Sequence, residues 1–137
     1  MPKQDDKVVQ QKYLELQMLD TQIKQLQQQL KALETQAGEL DALTVQLDEM
    51  KSVQVGSEIL IPVASGIFAR AELKDNAQFL VNVGADTVVV KSVDDTKGVL
   101  ARQVEDIRKL QQEMMGKLTE LAAQAQVTQG ELRKLIE

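Results

Sequence analysis

Apolar residues recur alternately three and four apart along two long stretches of this chain, and the segment between them, residues 53–92, has a different period. The first stretch carries Val9, Leu16, Leu19, Ile23, Leu26, Leu30, Leu33, Ala37, Leu40 and Leu47. The second carries Leu100, Val104, Ile107, Met114, Leu118, Leu121, Ala125, Leu132 and Leu135. A spacing that averages 3.5 residues is slightly shorter than a helical turn, so one apolar seam stays turned toward a partner over many turns. Each stretch therefore predicts a long helix that needs another helix along its seam.

The first helix is expected to begin at Asp5 or Asp6, either of which can cap it by accepting a hydrogen bond from an orphan amide. It continues to about Ser52, and at a rise of about 1.5 Å per residue it would be roughly 70 Å long. Gln27, Gln28 and Gln29 give part of it a low-complexity character, but Leu26, Leu30 and Leu33 carry the seam through them. The second helix is expected from Ser92, with Asp95 three residues on as in a capping box and Asp94 adding negative charge to the first turn. Both helices join one short central block, so they must run antiparallel and the two ends that carry the chain termini must meet. Gly38, Gly116 and Gly130 fall at outward positions of the heptad frame, each costing about 1 kcal/mol of helix propensity. Thr44, Gln111 and Thr128 fall on the seam, where polar residues can fix register at some cost in stability.

Between the helices the period becomes two. Ile59, Ile61 and Val63 alternate with Leu60, Pro62 and Ala64; after Ser65 and Gly66 the alternation resumes at Ile67, Ala69, Ala71 and Leu73. A second pair of runs, Phe79 to Val83 and Thr87 to Lys91, is joined through Gly84, Ala85 and Asp86. These read as two β-hairpins, with Pro62 keeping its strand to an edge or an irregular pairing. Isolated two-stranded hairpins are marginal in water, so these require further strands or a covering layer, and another subunit is the simplest source. The organisation predicted is a helix over 1–52, two oligomerisation hairpins over 53–92 and a helix over 93–137, an α+β fold.

Composition excludes most chemistry. The 137 residues include neither histidine nor cysteine, which removes disulfides, thiol and imidazole catalysis and the usual zinc sites. Ser65 with Gly66 is a turn without a base to activate the hydroxyl, and Gly84 with Asp86 lacks the rest of a phosphate loop. No catalytic residue, metal site or cofactor is predicted. A net charge of -5 without a basic stripe disfavours nucleic acid and anionic membranes. No apolar run reaches the roughly 18 residues of a membrane span, and the amino terminus lacks a signal-peptide core; a soluble, cytoplasmic protein is expected.

The central block resembles a known family. The run Ile59-Leu60-Ile61-Pro62-Val63-Ala64-Ser65-Gly66-Ile67-Phe68-Ala69-Arg70-Ala71-Glu72-Leu73-Lys74-Asp75, followed by Leu80-Val81-Asn82-Val83-Gly84-Ala85-Asp86, is similar to the alpha-type subunits of prefoldin. In that family an apolar strand with Pro precedes a Ser-Gly turn and Phe, then a Glu-Leu pair with Asp, then an apolar strand closed by Val-Gly. Two hairpins rather than one place the resemblance with the alpha type. It implies a hexamer of two alpha-type and four beta-type subunits, the hairpins joining into an intersubunit β-barrel from which coiled coils hang. It further implies an ATP-independent chaperone that holds unfolded polypeptides at the coiled-coil tips and delivers them to a group II chaperonin.

On that resemblance the oligomerisation surface falls on Ile59, Ile61, Val63, Ile67, Phe68, Phe79, Val81, Val83, Val88 and Val90. The client-binding tips fall on Val8, Val9, Tyr13, Leu14, Leu16, Val127, Leu132, Leu135 and Ile136, which present more apolar surface than a two-helix seam consumes. Val8, Leu14 and Ile136 lie off the seam. The bland alternative is that these residues only staple the helix ends together. Two other readings stay open: a structural or filament-forming module that transfers no client, and a tip bearing Mg²⁺ on Asp5, Asp6, Glu131 and Glu137, as in bacterial transcript-cleavage factors.

Overall fold

The structure is a computed structural model that describes residues 3–136. Helix α1 spans Lys3–Lys51, the strands are β1 (Glu58–Ala64), β2 (Ile67–Glu72), β3 (Gln78–Gly84) and β4 (Thr87–Ser92), and helix α2 spans Val93–Ile136. Asp5 and Asp6 lie inside α1 and not at its cap. Acidic residues are as favourable in a first helical turn as at the cap, because that end of the macrodipole is positive, and neither Lys3 nor Gln4 stops the helix. At the other helix the predicted cap is present: the Asp95 amide donates to Ser92 Oγ at 3.1 Å.

Contacts divide the chain into two compact units, one formed by Met1–Ala37 with Asp106–Glu137 and the other by Gly38–Glu105. In the first, the antiparallel helices pair Lys12 with Glu131 and Glu34 with Arg108. All of the predicted apolar seam residues here are half-buried or buried, and Ala37, Ile107, Leu121 and Leu132 are the most enclosed. Burying an aliphatic side chain fully contributes about 1.5–3 kcal/mol. A thin seam collects a fraction of that at each of many layers. Thr128 is buried and Gln111 half-buried, as their seam positions require.

In the second unit, Asp48 meets Lys97 and Lys51 meets Asp94 across the same two helices. Leu40, Leu47, Leu100 and Val104 are half-buried, and the half-buried Thr44 satisfies its hydroxyl on the Leu40 carbonyl. Each hairpin is a separate two-stranded antiparallel sheet. The two share one register: Glu58↔Glu72 and Pro62↔Phe68 in the first recur as Gln78↔Ser92 and Asn82↔Val88 in the second. Both are irregular at the same place, Val63 in one and Val83 in the other. Gly66 supplies the left-handed residue of the first turn at φ 74°, whereas the second takes Ala85 and Asp86 left-handed at 51° and 58°. That pair is the backbone of a type I′ hairpin turn, which matches the strand twist well enough to hold even Ala at positive φ.

Gly38, Gly116 and Gly130 are exposed in mid-helix, and a Cβ added at any of them would meet nothing within 4 Å. Replacing Gly116 or Gly130 by Ala should therefore raise unfolding stability by about 1 kcal/mol each. Urea denaturation followed by helical circular dichroism checks this; a loss of stability would mean that those faces are covered.

Candidate functional site

Unit one ends in apolar surface. The predicted tip residues separate into two groups there. Val9, Leu16 and Leu135 are half-buried and Leu132 is buried, so these belong to the seam. Val8, Tyr13, Leu14, Val127 and Ile136 are exposed. Exposure of large apolar side chains is ordinary when they are scattered singly, and Val127 and Ile136, about two and a half turns apart on α2, lie on opposite sides of that helix. An open groove of about 570 Å³ runs between α1 and α2, lined by Lys12, Met18, Leu19, Ala123, Val127 and Glu131. Met18 is 63% exposed and one turn beyond Leu14 on the same face. It was not among the predicted tip residues, although its off-seam position four residues from Leu14 was visible in the sequence. A flexible, polarisable thioether suits a surface that must fit many apolar partners.

Lys12 is the other addition. It stands three residues after Val9 and four before Leu16, a seam position filled by a charge, and its side chain is largely covered. Its ammonium bonds Glu131 of α2 and lies 3.7 Å from Glu15. The Glu131 bond raises the Lys12 pKa, against the opposing effect of burial. Farther along the unit, Glu34 Oε2 accepts from Arg108 at 2.6 Å and from Gln111 Nε2 at 3.0 Å, while Gln111 Oε1 accepts from Arg108. The Gln111 and Arg108 bonds hold the Glu34 carboxyl below its ordinary value. The seam glutamine thus works as part of a cross-helix clamp.

Of the residues considered for Mg²⁺, Glu131 is engaged by Lys12, while Glu137 and the Asp5 side chain lie outside the described residues. Among the described residues no three acidic side chains gather to hold a metal ion. No described helix is long and apolar enough to cross a membrane.

The predicted oligomerisation residues divide between two faces of each hairpin. Register puts Ile59 and Ile61 with Ala69 and Ala71 on one face, and Leu60 and Pro62 with Phe68 and Arg70 on the other. In the second hairpin Phe79 and Val81 share a face with Val89, while Leu80, Val88 and Val90 share the opposite one. Phe79, Val81 and Val89 are half-buried; Leu80 is 75% and Val90 60% exposed. Leu60, Leu80 and Val89 were not among the predicted residues; the register puts them on the faces of Phe68, Val88 and Val81 respectively. Val63, Ile67 and Val83 stand at the irregular ends next to the turns, all exposed. The Arg70 guanidinium on Glu58, a two-pronged bond at 2.8 and 2.9 Å, holds that carboxyl below its ordinary value.

Two long helices bracketing two hairpins with uncovered apolar faces define a coiled-coil assembly subunit. The sequence profile of the prefoldin family, described as "Prefoldin subunit", matches residues 19–137. Prefoldin subunit alpha of Thermofilum pendens is 30% identical over 93 residues, 68% of this chain and 72% of that protein. Prefoldin subunit alpha of Archaeoglobus fulgidus is 29% identical over 127 residues, 93% of each chain. A subunit of the filamentous PFD from Methanocaldococcus jannaschii has the same fold, with a TM-score of 0.80 at 16% identity, covering 87% of this chain and 98% of that one. The chain belongs to the prefoldin family of chaperone subunits, and both its two hairpins and its relatives are of the alpha type.

The Glu34 clamp makes a pH prediction. A carboxyl held below its ordinary value stabilises the fold above that value, and the contribution is lost as pH falls through the carboxylate range. Thermal melts of wild type and Glu34→Gln at about pH 6 and about pH 3.5 should show the larger loss of Tm in the wild type. Equal losses would mean that the clamp is not formed in solution.

Proposed function

We propose that this chain is the alpha-type subunit of an ATP-independent holdase, which gathers unfolded polypeptides at the terminal ends of its coiled coils and passes them to a group II chaperonin in the cytoplasm. The observation that carries this reading is the exposure of Met18 and Val127 on the two sides of one open groove, with Val8, Leu14 and Ile136 also exposed toward the terminal end of unit one. Such a patch is small, so single contacts are weak. Several arms around one client convert weak contacts into useful retention by raising the effective concentration. The partners supplying those arms are beta-type prefoldin subunits, in a hexamer of two alpha-type and four beta-type chains. Their strands would cover the apolar hairpin faces, closing an intersubunit barrel and removing the free edges.

A filament-forming module remains the second reading, because both strands of each two-stranded sheet are edges and edge pairing can continue without closing. Mass measurement of the chain mixed with a beta-type partner separates the two: a discrete six-chain species supports the holdase, and open-ended assembly of this chain alone supports the filament.

Replacing Val8, Leu14, Met18, Val127 and Ile136 together by Ser should leave folding and assembly intact, since each exposed substitution rarely moves stability by more than about 0.5 kcal/mol, or about 2.5 kcal/mol at most for the five. The same variant should hold back aggregation of a denatured client about tenfold less efficiently, through the lost multivalent contact. Unchanged suppression in light scattering would locate the client surface elsewhere. In the hairpins, Val90→Asp should leave the melting of the isolated chain unaltered, because Val90 is exposed there. It should abolish the six-chain species, since an unpaired charge buried at an interface costs about 3 kcal/mol or more; normal assembly of Val90→Asp would remove that face from the interface.

A further inference from the structure

Helix α1 ends without the glycine that commonly caps a helix. Its last turn closes through Ser52 N on Glu49 O and Val53 N on Met50 O, at 3.1 and 3.2 Å, and this leaves the next carbonyls as orphan acceptors. They are satisfied from a distance. Asn76, in the link between the hairpins, donates through Nδ2 to Val53 O at 2.9 Å and to Lys51 O at 3.4 Å.

The rest of that link is tied down on both sides. Leu73, buried, donates to Ser57 O at 3.0 Å and accepts from Gly56 N at 2.7 Å, which clips it to the loop before β1. Asp75 Oδ1 accepts from the amides of Ala77 and Gln78, fixing the start of β3. Ala77 O accepts from Val93 N, the first residue of α2, which is itself buried. The five residues Leu73 to Ala77 therefore join the end of α1, the root of each hairpin and the start of α2. Beyond this hub the hairpin strands present largely exposed side chains.

We infer that Asn76 is a positioning residue for assembly: its side-chain amide, bonded to the carboxyl end of α1, fixes the direction in which both hairpins leave the helices, so that their faces and edges are presented to partner strands before those strands arrive. This rests on the assembly reading above. Lys51 shows why the site matters. Its carbonyl receives Asn76 while its ammonium pairs with Asp94 of α2 at 3.2 Å, so one residue of α1 is tied to both the link and the second helix. An interface whose parts are already oriented spends less of its binding free energy on ordering them.

The test uses the full chain and a beta-type partner at pH 7, with Asn76→Asp, which keeps the shape and removes both donors, and Asn76→Gln, which keeps an amide. Asn76→Asp should raise the partner concentration for half-assembly about tenfold, as expected for the loss of a hydrogen bond that leaves acceptors unmet. Asn76→Gln should recover most of that loss, and helicity and thermal melting of the lone chain should be unchanged in both. Hydrogen exchange on the lone chain supplies the second readout: the amides of Gly56, Leu73 and Val93 should exchange faster in Asn76→Asp. Equal assembly of wild type and Asn76→Asp overturns the inference, as does equal impairment by Asn76→Gln or a collapse of helicity in Asn76→Asp. If the wild type itself does not join a beta-type partner, the assembly reading fails on its own account; unaltered exchange in Asn76→Asp would then overturn the positioning role separately.

Discussion

A two-stranded sheet with apolar residues on both faces cannot complete itself, and this shortage shapes everything else in the chain. Each strand has one neighbour, so one row of backbone groups is unpaired by the sheet, and side chains such as Leu60, Phe68, Leu80 and Val90 stand in water. Fully burying one such side chain is worth about 1.5–3 kcal/mol, and the lone chain forgoes most of that at several positions. Its own stability must come from the helix seam and from the buried Leu73 and Val93 at the roots of the hairpins. On the proposed reading, the hairpins' share is supplied by partner subunits, which makes association and completion of the fold the same event.

The seam has a complementary problem, because a uniform apolar stripe specifies that two helices pair but not in which register. Moving one helix by a heptad would bring Leu against Leu again. The polar members decide between such alternatives. In the present register Lys12 meets Glu131, and Glu34 receives both Arg108 and Gln111; a slipped register would leave Lys12, on a mostly covered seam position, with only the more distant Glu15 of its own helix. Register in turn decides which residues border the groove at the terminal end, since Met18 faces Ala123 and Val127 only in this alignment.

Most of the architecture could be read from periodicity alone. Every apolar residue that the 3.5-residue spacing placed on the seam is half-buried or buried, although the spacing passed over the buried Val93, and the switch to alternation located both hairpins, joined through Ser65-Gly66 and through Gly84, Ala85 and Asp86. Ser92 was legible as a cap because its partner, the Asp95 amide, is three residues away. What escaped has physical reasons. Lys12 interrupts the apolar pattern, and only the Glu131 it meets across the helix pair explains a charge there. Asn76 caps a helix that ended more than twenty residues earlier, so no local pattern announces it. Asp5 and Asp6 were read as caps, whereas the same charge preference operates inside the first turn. Leu60 and Leu80 went unassigned because both faces of these strands are apolar, and alternation cannot say which face meets a partner.

On the proposed reading, this chain acts as a chaperone only when its hairpins are completed by a second kind of subunit. Aggregation of a chemically denatured client, followed by light scattering without nucleotide, tests it as a beta-type partner is titrated into a fixed amount of this chain. Weak protection is expected from the chain alone and from the partner alone, with suppression rising to a break at two partner chains for each copy of this one. Full protection by the lone chain, or none at any ratio, would contradict it.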